Sequence, residues 1–144
     1  MSNKQCLHAE IGDDDIMLTI ELEQLSDRPE LINWAMARYV VYPHKWRRPM
    51  LHDDGILTFL GDPVILPSYT SFLADYEWWL TQEIKKGEPT RAKVIHKRAT
   101  QKVFSHTCTT VAHAVYMCII EHKRRGGLIE LPERYAERWL GWII

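Results

Sequence analysis

Glu88 to Gly127 reads EPTRAKVIHKRATQKVFSHTCTTVAHAVYMCIIEHKRRGG, and after Pro89 it contains neither proline nor glycine until Gly126. A stripe through Ala92, Ile95, Ala99, Val103, Thr107, Val111, Ala114, Cys118 and His122 recurs at a spacing near 3.6, the period of an α-helix. The segment is expected to form either one long helix or two helices end to end. Thr107, Thr109 and Thr110 have modest helix propensity and put the break near Ser105. This stretch makes the chain read as helix-rich.

The flanking sequence extends the same reading. SYTSFLADYEWWLTQEIKKG, residues 68–87, predicts a helix from Ser68 or Ser71 to Lys86, with Gly87 as its C-terminal cap. Its buried stripe is Phe72, Leu73, Tyr76, Trp79, Leu80 and Ile84. LIELPERYAERWLGWII, residues 128–144, predicts a short extended piece and a helix with Pro132 near its first turn. Its apolar tail, Trp139, Leu140, Trp142, Ile143 and Ile144, suits either core or interface.

Towards the N-terminus, SDRPELINWAMARYVVY, residues 26–42, carries a helix start: Ser26 or Asp27 as cap, Pro29 in the first turn and Glu30 at the positive end of the dipole. Pro43 disfavours helix in the residue before it, so this helix ends by Tyr42. Residues 16–22 alternate as a strand with Ile16, Leu18, Ile20 and Leu22 inward, although Glu, Leu and Met also allow a short helix. ILTFLGDPVILP, residues 56–67, holds two β-prone runs around a Gly-Asp-Pro turn signal, which fits a hairpin or one bent strand. The fold class expected is helix-rich α+β, a small sheet from residues 16–22 and 56–66 packed on about four helices.

The 144 residues match the commonest domain size and predict one domain over residues 1–144 whose core needs no disulfide or metal. Cys6, Cys108 and Cys118 are odd in number and lack zinc-motif spacing, and no basic-then-apolar leader precedes them; together these point to a cytoplasmic protein with reduced thiols. The longest uncharged run, Val103 to Ile120, is too polar for a membrane span. Net charge is −1, yet residues 1–86 carry 8 Lys+Arg against 14 Asp+Glu, and residues 87–144 carry 10 against 5. That imbalance favours an electrostatic partner or homo-oligomers in which acidic and basic faces meet.

Several clusters compete as sites. YPHKWRRPMLHDDG, residues 42–55, sets Lys45, Arg47 and Arg48 around Trp46 between two prolines. With Tyr42 they make a contact loop of the Trp-and-Arg composition favoured at interface hot spots. Arg91, Lys93, Lys97, Arg98 and Lys102 form a basic run free of acidic residues. On a helix Lys93, Lys97 and Arg98 would share one face and offer phosphate contacts, but a pI of about 6.6 is low for a nucleic-acid domain. A recognition helix within residues 105–126 would need polar residues near its start, where the pattern puts a core stripe.

His52, Asp53 and Asp54, with Asp13, Asp14 and Asp15 as a second acidic group, form the one cluster resembling a metal-dependent hydrolase. The same residues followed by Gly55 are ordinary turn chemistry. Cys118 and His122 sit four apart on a helix but lack the further ligands of a zinc site, and both lie on the core stripe. Glu83 and Lys85 spell a nuclease-like E-x-K inside a predicted helix rather than on a strand. No Gly-rich phosphate loop and no G-x-S-x-G elbow occurs, so neither a cofactor nor a catalytic residue is assigned. The function expected is that of a small cytosolic binding protein of inhibitor, immunity or adaptor type, occupying a protein partner's surface through Tyr42, Lys45, Trp46, Arg47 and Arg48. Nucleic-acid binding through residues 91–102 and 45–48 is the alternative, and hydrolysis at His52, Asp53 and Asp54 ranks third.

Overall fold

In a computed structural model that describes residues 15–44 and 46–143, four helices and three small antiparallel sheets share one buried cluster. The chain opens with β1 (Met17–Glu21) and a 3₁₀ turn (Leu22–Leu25), then α1 (Pro29–Met36), which runs on as a π-helical turn through Ala37–Val41. Next come β2 (Met50–Leu51), β3 (Leu57–Phe59), β4 (Asp62–Pro63) and the short α2 (Tyr69–Asp75). A meander of β5 (Trp78–Glu83), β6 (Thr90–His96) and β7 (Val103–Cys108) precedes α3 (Val111–Lys123), β8 (Leu128–Pro132) and α4 (Glu133–Leu140).

α3 is the central element. Residues Ala114 to Ile120 are all buried, as expected of a helix covered on every side, here by the β5–β6–β7 sheet and by α1. Burying Met117, Ile119 or Ile120 stabilises the fold by about 1.5–3 kcal/mol each relative to exposure. Thr110 starts the helix: its Oγ1 accepts the His113 backbone N–H at 3.1 Å.

Helix is correct for residues 111–123 and for 69–75, but not for the stretch between. Residues 78–83, 90–96 and 103–108 are strands. The 3.6-residue stripe competes with a period of two: Ala92 and Val94 are fully buried, Arg91 and Lys93 are exposed, and Phe104, His106 and Cys108 follow the same inward phase. α2 ends because Glu77 adopts the left-handed conformation, φ 56°, which reverses the chain into β5. Gly87, φ 79°, lies in the turn between β5 and β6 and caps no helix.

The strand at residues 17–21 is present, but β8 is its partner, from Met17 opposite Pro132 to Glu21 opposite Leu128, rather than residues 56–66. Ile20 and Leu22 point inward; Ile16 is exposed. The Gly-Asp-Pro run forms the β3–β4 hairpin, with β2 on its other edge. Arg28 precedes the first turn of α1 without a side-chain cap, whereas Ser26 Oγ donates to the Glu23 carbonyl at 2.7 Å, so the expected Ser26 or Asp27 cap is displaced by the 3₁₀ turn. In the tail, Trp139, Leu140 and Trp142 pack on the core and Ile143 is exposed; Ile144 lies outside the described residues.

Charges from the two halves of the sequence pair within the chain: Arg134 with Asp15 at 2.9 Å and Arg98 with Glu77 at 3.3 Å. Arg138 Nη2 donates to the backbone carbonyl of Asp53 at 3.0 Å. Among the described residues no helix is long and apolar enough to cross a membrane.

Candidate functional site

The loop after α1 is held at both ends and open in the middle. Its exit is pinned where Trp34, fully buried, donates Nε1–H to the Pro49 carbonyl at 2.9 Å; near its entry Arg38 Nη1 donates to the His44 carbonyl at 3.3 Å. Between these anchors Trp46 is 67% exposed and Arg47 is exposed. Arg48 is half-buried, and Lys45 lies outside the described residues. Tyr42 stacks on Phe59 of β3, ring centroids 4.2 Å apart and planes 7° from parallel, which fastens the loop to the β3–β4 hairpin.

Two depressions flank this loop and share Pro43 and His44. One, about 220 Å³, is lined by Tyr42, Pro43, His44 and Phe59 and is apolar. The other, about 300 Å³, is lined by Arg38, Tyr39, Pro43, His44, Lys123 and Arg124. In it the guanidinium carbons of Arg38 and Arg124 lie 5.2 and 4.9 Å from the centre of the Tyr39 ring. The ring is fixed because Tyr39 Oη donates to the Glu130 carbonyl at 2.7 Å and accepts the Glu130 N–H at 2.9 Å. Burial pushes the Tyr39 phenol up and the Arg38 guanidinium down, with Arg48 and Arg124 adding like-charge repulsion on Arg38. Arg38 Nε is buried and makes no hydrogen bond among the described residues.

The basic run does not lie on a helix face. Arg91 and Lys93 project from the outer face of the three-stranded sheet; Lys97 and Arg98 lie in the β6–β7 turn, and Lys102 ends that turn. Cross-strand register makes three outward rows: Trp79, Ile95 and Val103; Thr81, Lys93 and Ser105; Glu83, Arg91 and Thr107. Trp79 is 55% exposed, and Arg91 Nε donates to Ser105 Oγ at 3.1 Å. Arg98 is held by Glu77. The sheet thus separates residues that a helix would have gathered.

On the inner side, His106 of β7 is 4% exposed and stands between two carboxylates. Its Nε2 donates to Glu121 Oε1 at 2.5 Å, while Nδ1 is 3.2 Å from Glu23 Oε1 without the geometry of a hydrogen bond. One turn-step along α3, His122 lies against the rings of Tyr76, Trp78 and Phe104, with centroids 5.1, 5.5 and 5.9 Å away. Burial holds His122 below its ordinary value of 6.5, and Lys123, Lys102, Arg125 and His96 add to that effect. A groove of about 610 Å³ opens here, lined by Gln101, Lys102, Val103, Phe104, Glu121, His122, Arg125 and Gly126. His106 escaped sequence reading because its inward direction follows only from β alternation with Phe104 and Cys108. The groove joins a strand to the end of a helix and has no local sequence signal.

Glu83 and Lys85, expected inside a helix, instead lie at the end of β5 and just beyond it; the other candidates resolve into structural roles. Gly55, φ 89°, donates its N–H to the His52 carbonyl at 2.9 Å, and Asp54 Oδ1 accepts the Ile56 N–H at 3.0 Å, a turn leading into β3. His52 Nε2 bonds Thr58 Oγ1 at 2.9 Å, and Asp15 is taken by Arg134; Asp13 and Asp14 lie outside the described residues. Among the described residues no three His, Cys, Asp or Glu side chains converge to hold a metal. Cys108 and Cys118 are buried free thiols; burial pushes Cys108 up to about 12 and raises Cys118 as well, so neither is an activated nucleophile. Cys6 lies outside the described residues. Comparison of the chain with protein-family models, with curated proteins and with solved structures finds no match.

Proposed function

We propose that this protein acts by binding another protein, in the manner of an inhibitor, immunity protein or adaptor, through the face built by Tyr42, Pro43, His44, Trp46, Arg47 and the β3–β4 hairpin. The observation that carries the reading is the shared rim at Pro43 and His44, with an apolar depression on one side and a cationic one on the other. A partner segment with one apolar anchor and nearby carboxylates matches both. The anchor would sit on the Tyr42–Phe59 stack, and the carboxylates would meet Arg38, Lys123 and Arg124. Exposed Trp46 and Arg47 extend the face with the residue types that dominate interface energies. Trp34 and Arg38 hold the loop at Pro49 and at His44, which reduces the ordering that binding must supply at those two points.

The test is affinity capture from the native host's lysate with the wild type and three variants. Trp46→Ala and Arg124→Glu should each weaken capture of an acidic protein partner about tenfold or more, with melting temperatures nearly unchanged. Arg91→Glu, on the outer sheet face, should leave capture intact. Equal capture by all four proteins would overturn the assignment to this face.

A second reading, nucleic-acid binding, is favoured by the exposed Trp79 on the same open sheet face as Lys93 and Arg91, because single strands bind by base stacking on aromatics flanked by cations. It predicts retention on mixed single-stranded DNA at low ionic strength and steep release with added salt. No retention at low ionic strength would remove it.

A further inference from the structure

The groove between the start of β7 and the end of α3 is distinct from the face proposed for the protein partner. It is about twice the volume of the cationic depression beside Tyr39 and falls in the size range of small-ligand sites. Its walls differ in chemistry. Lys102 and Arg125 supply two cations, neither of which makes an ion pair among the described residues, and Gln101 adds an amide. Phe104 and Val103 form the apolar wall.

Between them lies His122, whose ring contacts aromatic groups and makes no hydrogen bond among the described residues. Glu121 is the carboxylate on the wall, and its Oε1 is already occupied by buried His106. Three basic groups therefore converge on a space whose single acid is engaged elsewhere, next to a phenylalanine ring. We propose that this groove binds the phosphomonoester of a nucleotide, with Lys102, His122 and Arg125 on the phosphate and Phe104 against the base.

Lys102 and Arg125 are exposed on the groove's rim; a dianion gains charge-assisted hydrogen bonds from both, and a planar base adds stacking on an aromatic ring. The histidine reports directly on occupancy. The groups facing its ring are Lys123 and Glu121 on its own helix, Arg125 beyond it, Lys102 from the turn, His96 from β6, and the rings of Tyr76, Trp78 and Phe104. With the groove empty, burial and the surrounding cations disfavour protonation of the imidazole; a bound dianion favours it.

The experiment follows the His122 ring protons by NMR across pH, assigned with His122→Gln, in sodium chloride, inorganic phosphate or adenosine 5′-monophosphate at matched ionic strength. Phosphate and the nucleotide should both move the His122 midpoint upward relative to chloride. The nucleotide should saturate at a concentration at least about fivefold lower, the least that stacking one base provides. In Lys102→Ala/Arg125→Ala the upward movement should vanish while the spectrum stays that of the folded protein; should that variant fail to fold, Lys102→Gln and Arg125→Gln made singly should each reduce the movement.

A midpoint equal in all three salts would overturn the site. Equal saturation by phosphate and the nucleotide would overturn the nucleotide assignment. An oligonucleotide without a terminal phosphate that moved the midpoint as far as the nucleotide would overturn the monoester.

Discussion

His106 is the side chain whose environment most constrains the molecule. It is buried under Glu121 and Glu23, and its Nε2 is bonded to Glu121 Oε1. Removing one partner of such a pair leaves the other's polar group under-satisfied, which costs more than the bond itself contributes. His106→Ala is therefore expected to destabilise the fold by about 2–4 kcal/mol, cavity included. Because Glu121 is partly solvated, His106→Ala/Glu121→Gln should cost less than the sum of the single variants, measured by urea unfolding. Strict additivity would show that the two side chains do not act as a pair. Trp34 and Tyr39 illustrate a different use of polar tips on aromatic rings. Each buries or half-buries its ring and spends its single polar group on backbone: Pro49 for the indole, Glu130 for the phenol.

At the scale of elements, the contest between periods of 3.6 and two decides the middle of the chain. The helical stripe makes Ile95 a core residue, and the strand makes Val94 one; in the folded protein Val94 is fully buried while Ile95 is half-buried beside Trp79 and Val103 on the outer face. Val94→Lys is expected to cost about 3 kcal/mol or more, and Ile95→Lys about 1 kcal/mol or less, read from denaturant midpoints. The reverse order would return residues 90–96 to a helix. Residues 111–123 keep the helical reading, and the structure shows Thr110, read from sequence only as part of a break, to be the cap that starts this helix. β1 and β8 were legible as extended pieces, but their pairing spans nearly the whole sequence, and no local pattern specifies a partner that distant. Of the candidate sites, the loop between Pro43 and Pro49 and the turn at His52–Gly55 followed from local signals, proline in the first and Asp and Gly in the second.

At the scale of the whole molecule, His113 and His122 shape the response to acid. Burial lowers His113 and His122 below 6.5; His113 Nε2 donates to Asn33 Oδ1 at 3.1 Å, and its Nδ1 lies 2.8 Å from Thr110 Oγ1. The unfolded chain takes up protons at these two positions near 6.5, and the folded chain only at lower pH. Stability is then complete above about 6.5 and declines as pH falls from there towards the folded values, so the melting temperature should drop between about pH 7 and pH 5. His113→Gln/His122→Gln should flatten that slope; an unchanged slope would assign it to other groups.

The amino-acid sequence by itself determined the α+β class, a helix across residues 111–123, the turn at His52–Gly55 and a proline-bracketed loop that exposes Trp46 and Arg47, because each follows from propensity, turn chemistry or proline within a few residues. Tertiary structure alone decided that the basic run is a strand and a turn, that Glu23 and Glu121 converge on His106, and that Lys102 and Arg125 share a groove with His122. A segment that satisfies two periodicities adopts the one whose hydrophobic side can be buried against a neighbour. That neighbour, the apolar helix at residues 111–123, exists as a surface only once the chain has folded.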